Sequence, residues 1–543
     1  MLALSLLLLT TSAARAQDLD EVTISGRVTD QNGAIVSHAE VTAVLVATGV
    51  ERSVTADSEG RYRLIELTPG VYTVRVSFQG FATEEKTELT TIAGQNVRLD
   101  FTLRPADITA EQVIVSEAEA PPVDTTRTVV GGTVMSEEVE SLPNISREPL
   151  DLIFTLGGVT EEPLSTRDLA EDRDTNPRGT PEEAGSFALS GGPAYSNNIT
   201  IDGLDNNDDR AARERFQPSV EAVEEVQVIT NQFSAEYGRA SGGRINIRTR
   251  GGSNRYRGRL FYFFRDESLD ANTFRNNAMG LSKLPLQQHN PGFTLGGPLS
   301  LPNLFFGPLS YDGRKKTFFF VAYEYNTQLD TALIDTLVPV QQNSLFLLPP
   351  PSTRTGLRLE DAPSTSLETE IAPFIQTVNT PLKNHIFTAR IDHTFSDTHN
   401  GTASYQLGRL TNLRQFGGEN RLAEALVGST RKTDAISYSD NFVFSPKSVN
   451  QFRIQYSRLT PAVEAQGGAT TPVVLININD PLDNEDPSNR SGTLTAGSST
   501  AGATDRRETR VQLQEAFSYV AGSHSLKMGF DVQWINSTFI DLS

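Results

Sequence analysis

Residues 217–252 read QPSVEAVEEVQVITNQFSAEYGRASGGRINIRTRGG, from Gln217 to Gly252, and the rest of the chain is placed by reference to them. Pro218 suits a first helical position, and Val220 and Val223 continue a short helical pattern that runs straight into the apolar stretch Val226 to Ile229. The expectation is a helix passing into a strand. Asn231 to Tyr237 is polar and aromatic, and the cluster Gly238 to Gly243 marks a turn. After it, Ile245, Ile247 and Thr249 alternate with Asn246, Arg248 and Arg250, so a second strand follows.

The 543 residues are enough for several domains. A formal net charge of −20 repels the phosphate backbone and argues against nucleic acid as a partner. The absence of cysteine removes disulfides, thiolate nucleophiles and Cys-ligated zinc together. Leu2 to Leu9 has the length of a signal-peptide apolar region, and Ala14-Arg15-Ala16 before Gln17 fits a cleavage site, so 1–16 reads as a signal peptide. No Lys or Arg precedes that run, which places the expected start codon upstream. No apolar run of 18 residues occurs elsewhere, so insertion in a membrane would need a β-barrel.

From Val22 to Leu103 short alternating strands are broken at Asp30-Gln-Asn-Gly33, Asp57-Ser-Glu-Gly60 and Thr68-Pro69-Gly70. This predicts a two-sheet sandwich over 20–104, with apolar positions from Ile24 and Val28, Val41 to Val46 and Val71 to Phe78 facing inward. The wording GRVTDQNGAIVSHAEVTA and TADSEGRYRLIELTPGVYTVRVSFQGF resembles the carboxypeptidase regulatory-like domain, an Ig/prealbumin-like sandwich. Peptidase activity is not implied, because zinc peptidases need paired ligands and the segment holds only His38. Residues 105–122 read as an acidic, proline-bearing linker. Inside it Gln112, Val113, Ile114, Val115 and Ser116 form one β-prone patch, which either adds to the sheet edge of a partner or closes the preceding sandwich.

Residues 123–252 read as a small α/β unit. Leu150, Ile153 and Phe154 fall at helical spacing, with Ser146 as N-cap and Gly157 as stop. Asp202, Asp205, Asp208 and Asp209 suggest either a calcium loop or turn chemistry, and the missing EF-hand glycine spacing favours the turn. No phosphate-binding glycine pattern and no G-x-S-x-G occurs, so no catalytic residue, metal site or cofactor is expected. The six histidines are scattered; His385 and His393, which share a strand face, read as satisfied residues and not ligands. The segments REPLDLIFTLGGV, FALSGGPAYSNNITIDGLDNND and EEVQVITNQFSAEYGRASGGRINIRTRGG resemble, in order, the plug domain of TonB-dependent outer-membrane receptors of the Oar-like branch. Arg244 departs from that pattern, which usually has an apolar residue after the paired glycines.

From 253 to 543 long strands alternate apolar and polar positions. Leu526, Met528, Phe530, Val532 and Trp534 stand against Ser525, Lys527, Gly529, Asp531 and Gln533; Phe387 to Ile391 and Phe452 to Tyr456 behave alike. Tight connections at Ser396–Gly401, Ser445–Ser448 and Ala521–Ser523 alternate with long ones at Asp330–Leu382, Thr411–Lys432 and Pro461–Arg507, as in an outer-membrane barrel with apolar residues facing lipid. Phe261 to Phe264 and Phe318 to Phe320 suit interfacial aromatic girdles. About nine strands are present where the receptor family closes its barrel with 22, so the chain reads as an N-terminal fragment.

The expected fold is therefore mainly β: a sandwich, a small α/β plug and the N-terminal portion of a transmembrane antiparallel barrel. The resemblance implies uptake of an extracellular ligand, an oligosaccharide, peptide or metal chelate. It also implies outer-membrane lipid around the barrel, a periplasmic sandwich and a TonB-type energy-coupling protein acting on Gln112 to Ser116. The alternative is a secreted β adhesin or carbohydrate-binding surface protein.

Overall fold

Alternation of apolar residues over 22–103 builds two sheets whose inner faces share one core. The computed structural model describes residues 21–541 apart from 107–112, 118–129, 145, 162–186, 194–195, 210–212, 232–233, 273, 279, 281, 302–309, 340–370, 414–420, 466–472, 479–491, 499–503 and 522–523. The signal-peptide reading at 1–16 and most of the linker at 105–122 lie outside these residues. The first strands are β1 (Val22–Asp30), β2 (Glu40–Leu45), β3 (Val50–Thr55), β4 (Arg61–Leu67), β5 (Gly70–Ser77), β6 (Thr83–Thr91), β7 (Asn96–Arg98), β8 (Phe101–Leu103) and β9 (Val113–Glu117). One sheet has the order β4-β1-β7, with β8 also on β1, and the other the order β3-β2-β5-β6-β9. Val22, Ile24, Val28, Val41, Val74, Val76, Leu89 and Phe101 are buried between them. Gly26 is required by close approach: a Cβ there would lie 1.9 Å from the Leu99 carbonyl oxygen, the same oxygen that accepts the Tyr62 hydroxyl at 2.5 Å.

The turns use the expected chemistry. Asp30 accepts from the Asn32 and Ala34 amides at 2.8 and 2.7 Å, and Asp57 from the Glu59 and Arg61 amides at 2.9 Å each. Slight burial works to raise the Asp57 carboxyl, but these amides and the Arg61 guanidinium outweigh it and hold it below the usual carboxylate range. A depressed folded value stabilises the fold above the unfolded value of about 3.9, and that stability is lost as pH falls through the folded value. Asp57→Asn is therefore expected to lower the sandwich's thermal midpoint at pH 7, and the gap to wild type should close in unfolding scans as the pH falls through the depressed folded value.

The next module contains β10 (Val130–Val134), β11 (Val159–Glu161), β12 (Phe187–Leu189), β13 (Asn198–Ile201), β14 (Leu204–Asp205), β15 (Val223–Asn231) and β16 (Arg244–Thr249). Its sheet has the order β10-β15-β16-β13-β14, with β13 parallel to β16, and β11 pairs with β12 apart from it. Three details differ from the sequence reading. The helix at Pro149–Thr155 is a 3-10 helix flanked by Glu148 and Leu156, because Pro149 opens it and Ser146 is engaged with Asp151 and Asn144 instead of capping. The turn Val220–Ala222 is also 3-10, capped by Ser219, so Pro218 lies outside it and Val223 already belongs to β15. Arg244 is buried in β16, and its guanidinium lies over the Tyr237 ring, 3.8 Å from the centroid.

A nine-stranded antiparallel sheet follows in chain order. It consists of β17 (Arg257–Asp266), β18 (Gln287–Pro298), β21 (Thr317–Leu329), β24 (Leu382–Ser396), β25 (His399–Asn412), β26 (Val427–Ser445), β27 (Ser448–Ala465), β30 (Thr504–Ala521) and β31 (His524–Asp541). The connections contain the hairpins β19 (Ser300–Leu301) with β20 (Tyr311–Asp312), β22 (Thr331–Pro339) with β23 (Ile371–Asn379), and β28 (Val473–Ile478) with β29 (Gly492–Gly497). Met528, Phe530 and Trp534 are 62%, 53% and 58% exposed on the outer face, while Thr388, Gln451, Gln455, Arg510 and Gln512 are buried on the inner one. The polar-inside arrangement is that of a membrane strand, not of a soluble sandwich.

Two expectations are corrected here. The aromatic clusters are not girdles throughout: Phe318 and Phe320 are buried on the inner face, and only residues such as Phe264 face outward. Loop lengths do not alternate strictly either, since the connection from β18 to β21, at the tight-turn end, spans 299–316 and carries β19 and β20. The other end does carry long connections, and parts of these fold: Ile334, Leu337, Phe374, Leu422, Leu426, Ile478 and Leu494 form one buried core shared by three connections.

The facing of β31 is open to direct test. Val532→Arg places a charge on the outer face and should cost about 2–4 kcal/mol near the bilayer midplane, seen as reduced yield of the heat-modifiable species on refolding into vesicles. Val532→Leu should refold as wild type. An equal yield from both variants would reverse the assigned facing.

Candidate functional site: a charged anchor inside the curved sheet

Strand β14 ends at Asp205, and the chain then turns through Asn206 to Asp209 and comes back at Arg213 to Phe216. Local hydrogen bonds shape this segment as the Asx-rich sequence predicts. Asp205 accepts the Asn207 amide at 2.8 Å, Asn206 bonds both backbone groups of Phe216, and Asn207 accepts the Ile199 amide at 2.8 Å.

The carboxylates do more than turn chemistry. Asp208 receives both terminal nitrogens of Arg506, one at 2.6 Å, and Asp205 receives Arg510 at 2.7 Å. Arg510 also reaches Asp209 at 2.6 Å, which in turn holds Arg239 at 2.5 Å. Glu508 pairs with Arg506 at 3.1 Å and with Arg215, whose other nitrogen donates to the Ser457 hydroxyl at 3.0 Å. Arg431 donates to the Glu214 carbonyl, and the Thr433 hydroxyl to the Arg215 carbonyl at 2.8 Å. Burial opposes ionisation of Asp209, but Arg510 and then Arg239 outweigh it and hold the carboxyl below its ordinary range. Arg506, Glu508 and Arg510 are alternate residues of β30, so one face of one strand carries a plus-minus-plus ladder that meets the aspartates.

Two further anchors repeat the pattern. Arg147 pairs with Glu324 of β21 at 2.8 Å and Glu221 at 3.3 Å, and its guanidinium lies 3.9 Å from the Phe263 ring centroid. Arg390 of β24 bridges Asp392 at 2.8 Å and Asp202 at 3.5 Å, and donates to the Thr249 carbonyl at 3.1 Å. On the long-loop side of the Arg147–Glu324 anchor a cleft of about 620 Å³ is lined by Asn144, Ser146, Asp151, Arg265, Gln288 and Asn326. The sequence reading found the aspartates but missed their partners. The available signal was charge at alternate positions on the lumen face of TDRRETRVQ.

The arrangement is built for holding. The carboxylates of the anchor face guanidinium groups, and among the described residues no group of three or more His, Cys, Asp or Glu side chains could hold a metal ion. His385 shares a hydrogen bond with the Tyr323 hydroxyl at 2.9 Å, and His393 one with the Thr317 hydroxyl at 2.6 Å.

The patch at 112–116 is placed differently from the free-strand expectation. Gln112 lies outside the described residues; Val113 to Ser116 form most of β9, which pairs in parallel with β6 as the outermost strand of the sandwich sheet. The physical reason is that β6 would otherwise leave a row of backbone donors and acceptors unpaired. The sandwich itself rests on the rest of the molecule. Gln451 of β27 donates to Glu66, Gln227 of β15 to the Ala93 carbonyl at 3.1 Å, and Arg248 of β16 to the Pro69 carbonyl at 3.2 Å.

Removing one partner of a buried ion pair strands the other, typically at a cost of about 3–5 kcal/mol. Arg506→Ala should therefore raise hydrogen exchange across 204–209 markedly, and Asp208→Ala in the same chain should recover part of the protection. Additive loss in the double variant would show that the two side chains do not act as a pair.

Comparison with known proteins agrees with this architecture. The family described as carboxypeptidase regulatory-like domain matches residues 23–104, and the family described as outer membrane beta barrel domain matches 248–356 and 334–543, together more than half of the chain. The TonB-dependent transporter Oar of Myxococcus xanthus is 29% identical over 300 residues, covering 54% of this chain and 27% of that protein. Among solved structures, the outer-membrane transporter YddB of Escherichia coli aligns over 75% of this chain and 48% of its own, at 10% identity and a TM-score of 0.47. The siderophore receptor PirA of Acinetobacter baumannii aligns over 77% and 49%, at 13% identity and a TM-score of 0.45. The chain thus spans about half or less of the length of the proteins it resembles.

Proposed function

Since this chain belongs to the outer-membrane β-barrel domain family and carries a carboxypeptidase regulatory-like domain ahead of its barrel strands, we propose that it acts as a TonB-dependent transporter, with 123–252 as the plug. The observation that carries the reading is the buried anchor. A small module is held by polar contacts against the inner face of a sheet whose outer face is apolar. Such contacts hold a plug in register beside small apolar patches such as Ala222 with Phe320 and Ala322, and water can replace the polar ones if the plug moves.

In this reading the ligand enters from the long-loop end and the sandwich lies on the periplasmic side, at the tight-turn end, where Gln451 touches it. Gln112 to Ser116 is the segment an inner-membrane energy-coupling protein engages by strand pairing. The ligand is an oligosaccharide, a peptide or a metal chelate; the mixed polar and apolar lining of the cleft suits any of these. No enzymatic step belongs to the function. A secreted adhesin is disfavoured, because its exposed Leu526 to Trp534 stripe would face water.

The test uses the full-length protein in detergent and the purified C-terminal domain of a TonB-type energy-coupling protein. Ile114→Pro removes one backbone donor and fixes φ. The variant should reach the outer membrane and keep heat-modifiable migration, yet bind that domain at least ten-fold more weakly. Binding equal to wild type would remove Gln112–Ser116 from the mechanism.

A further inference from the structure

We infer that the sandwich is a berth for the coupling segment: β6 and the energy-coupling protein compete for the backbone of Val113 to Glu117. This rests on the function proposed above and adds its regulation. Five consecutive residues of β9 pair with β6, in the register Thr83↔Val113, Glu84↔Ile114, Glu85↔Val115, Lys86↔Ser116 and Thr87↔Glu117. The backbone row that a partner's sheet would use on one side is thus already occupied within the chain.

The pairing lies at the edge of the sheet and is parallel and short, the less stable kind of ladder. Two β6 side chains in that register are bonded within the sandwich: Glu84 accepts the Thr102 amide at 3.1 Å, and Lys86 donates to the Asp100 carbonyl at 2.8 Å.

The berth is held in place by the contacts of the sandwich with the plug and barrel. Glu66, at the Gln451 contact, has φ +56° although it is not glycine, a conformation sustained only by the surrounding packing. With the sandwich docked through Glu66, Pro69 and Ala93, β6 lies at a set position, and the segment is parked on it instead of trailing free.

The chain contains no cysteine, so a pair of introduced thiols reports on one contact only. In the full-length protein, Glu85→Cys with Val115→Cys places thiols at partnered positions. Oxidation should form a disulfide in the folded protein and weaken binding of the purified C-terminal domain of a TonB-type protein at least ten-fold. Reduction should restore it, and wild type should not respond to oxidant. Should the reduced pair itself bind poorly, Thr87→Cys with Glu117→Cys makes the same lock outside the 112–116 segment. Failure of both disulfides to form, or equal binding by oxidised and reduced protein, overturns the berth. Equal binding would mean that the partner adds to the outer edge of β9. The underlying assignment is distinguished by wild type: if wild type also fails to bind the domain, the coupling role of 112–116 falls and the berth with it. If wild type binds and Ile114→Pro does not, only the berth is at stake.

Discussion

Arg506 and Arg510 are fully buried, and a guanidinium group cannot shed its proton to escape that situation. Each must therefore find carboxylate oxygens at fixed positions, and the aspartates of the 205–209 segment supply them from 300 residues earlier in the chain. Much else depends on this pairing. With its neighbours it seats the 205–216 segment against β26, β27, β30 and β31, on the polar face of the sheet. Replacing such a network with packed hydrophobic residues would often be neutral or stabilising. What polar contacts add is register, because every misplaced alternative strands a buried charge.

The three anchors share one logic. Each joins a charged residue of the 130–252 module, Asp208, Arg147 or Asp202, to an opposite charge on a strand of the large sheet, Arg506, Glu324 or Arg390. The Arg147–Glu324 anchor has the opposite sense to the other two, so a module shifted to bring Arg147 to Arg390 or Arg506 would bring like charges together. At low local dielectric that repulsion is strong, which makes the docked orientation specific.

Much of this was legible in the sequence, for a definite reason. Period-two alternation depends only on which face of a strand is apolar, and Leu526 to Trp534 or Ile245 to Thr249 display it without reference to anything distant. What could not be read were matters settled by partners. Phe318 and Phe320 look like girdle residues until the structure turns them inward, and Asp208 looks like a turn residue until Arg506 arrives. The 3-10 form of Pro149–Thr155 is likewise a tertiary outcome, since Ser146 is withdrawn from capping by Asp151. The strand at 113–117 was visible as a strand, but whether its edge is free depends on β6.

The long-loop end shows the same dependence on distant partners. Three connections separated widely in sequence place Ile334 and Phe374, Leu422 and Leu426, and Ile478 and Leu494 in one core. Closing a long loop costs only slowly more entropy as it lengthens, while each buried large side chain contributes about 1.5–3 kcal/mol. A shared core is therefore an economical way to order loops that no single hairpin could order alone. Because β22, β23, β28 and β29 meet through that core, displacement of one connection must disturb the packing of the others. The described parts of the three connections thus form one packed body and not three independent hairpins.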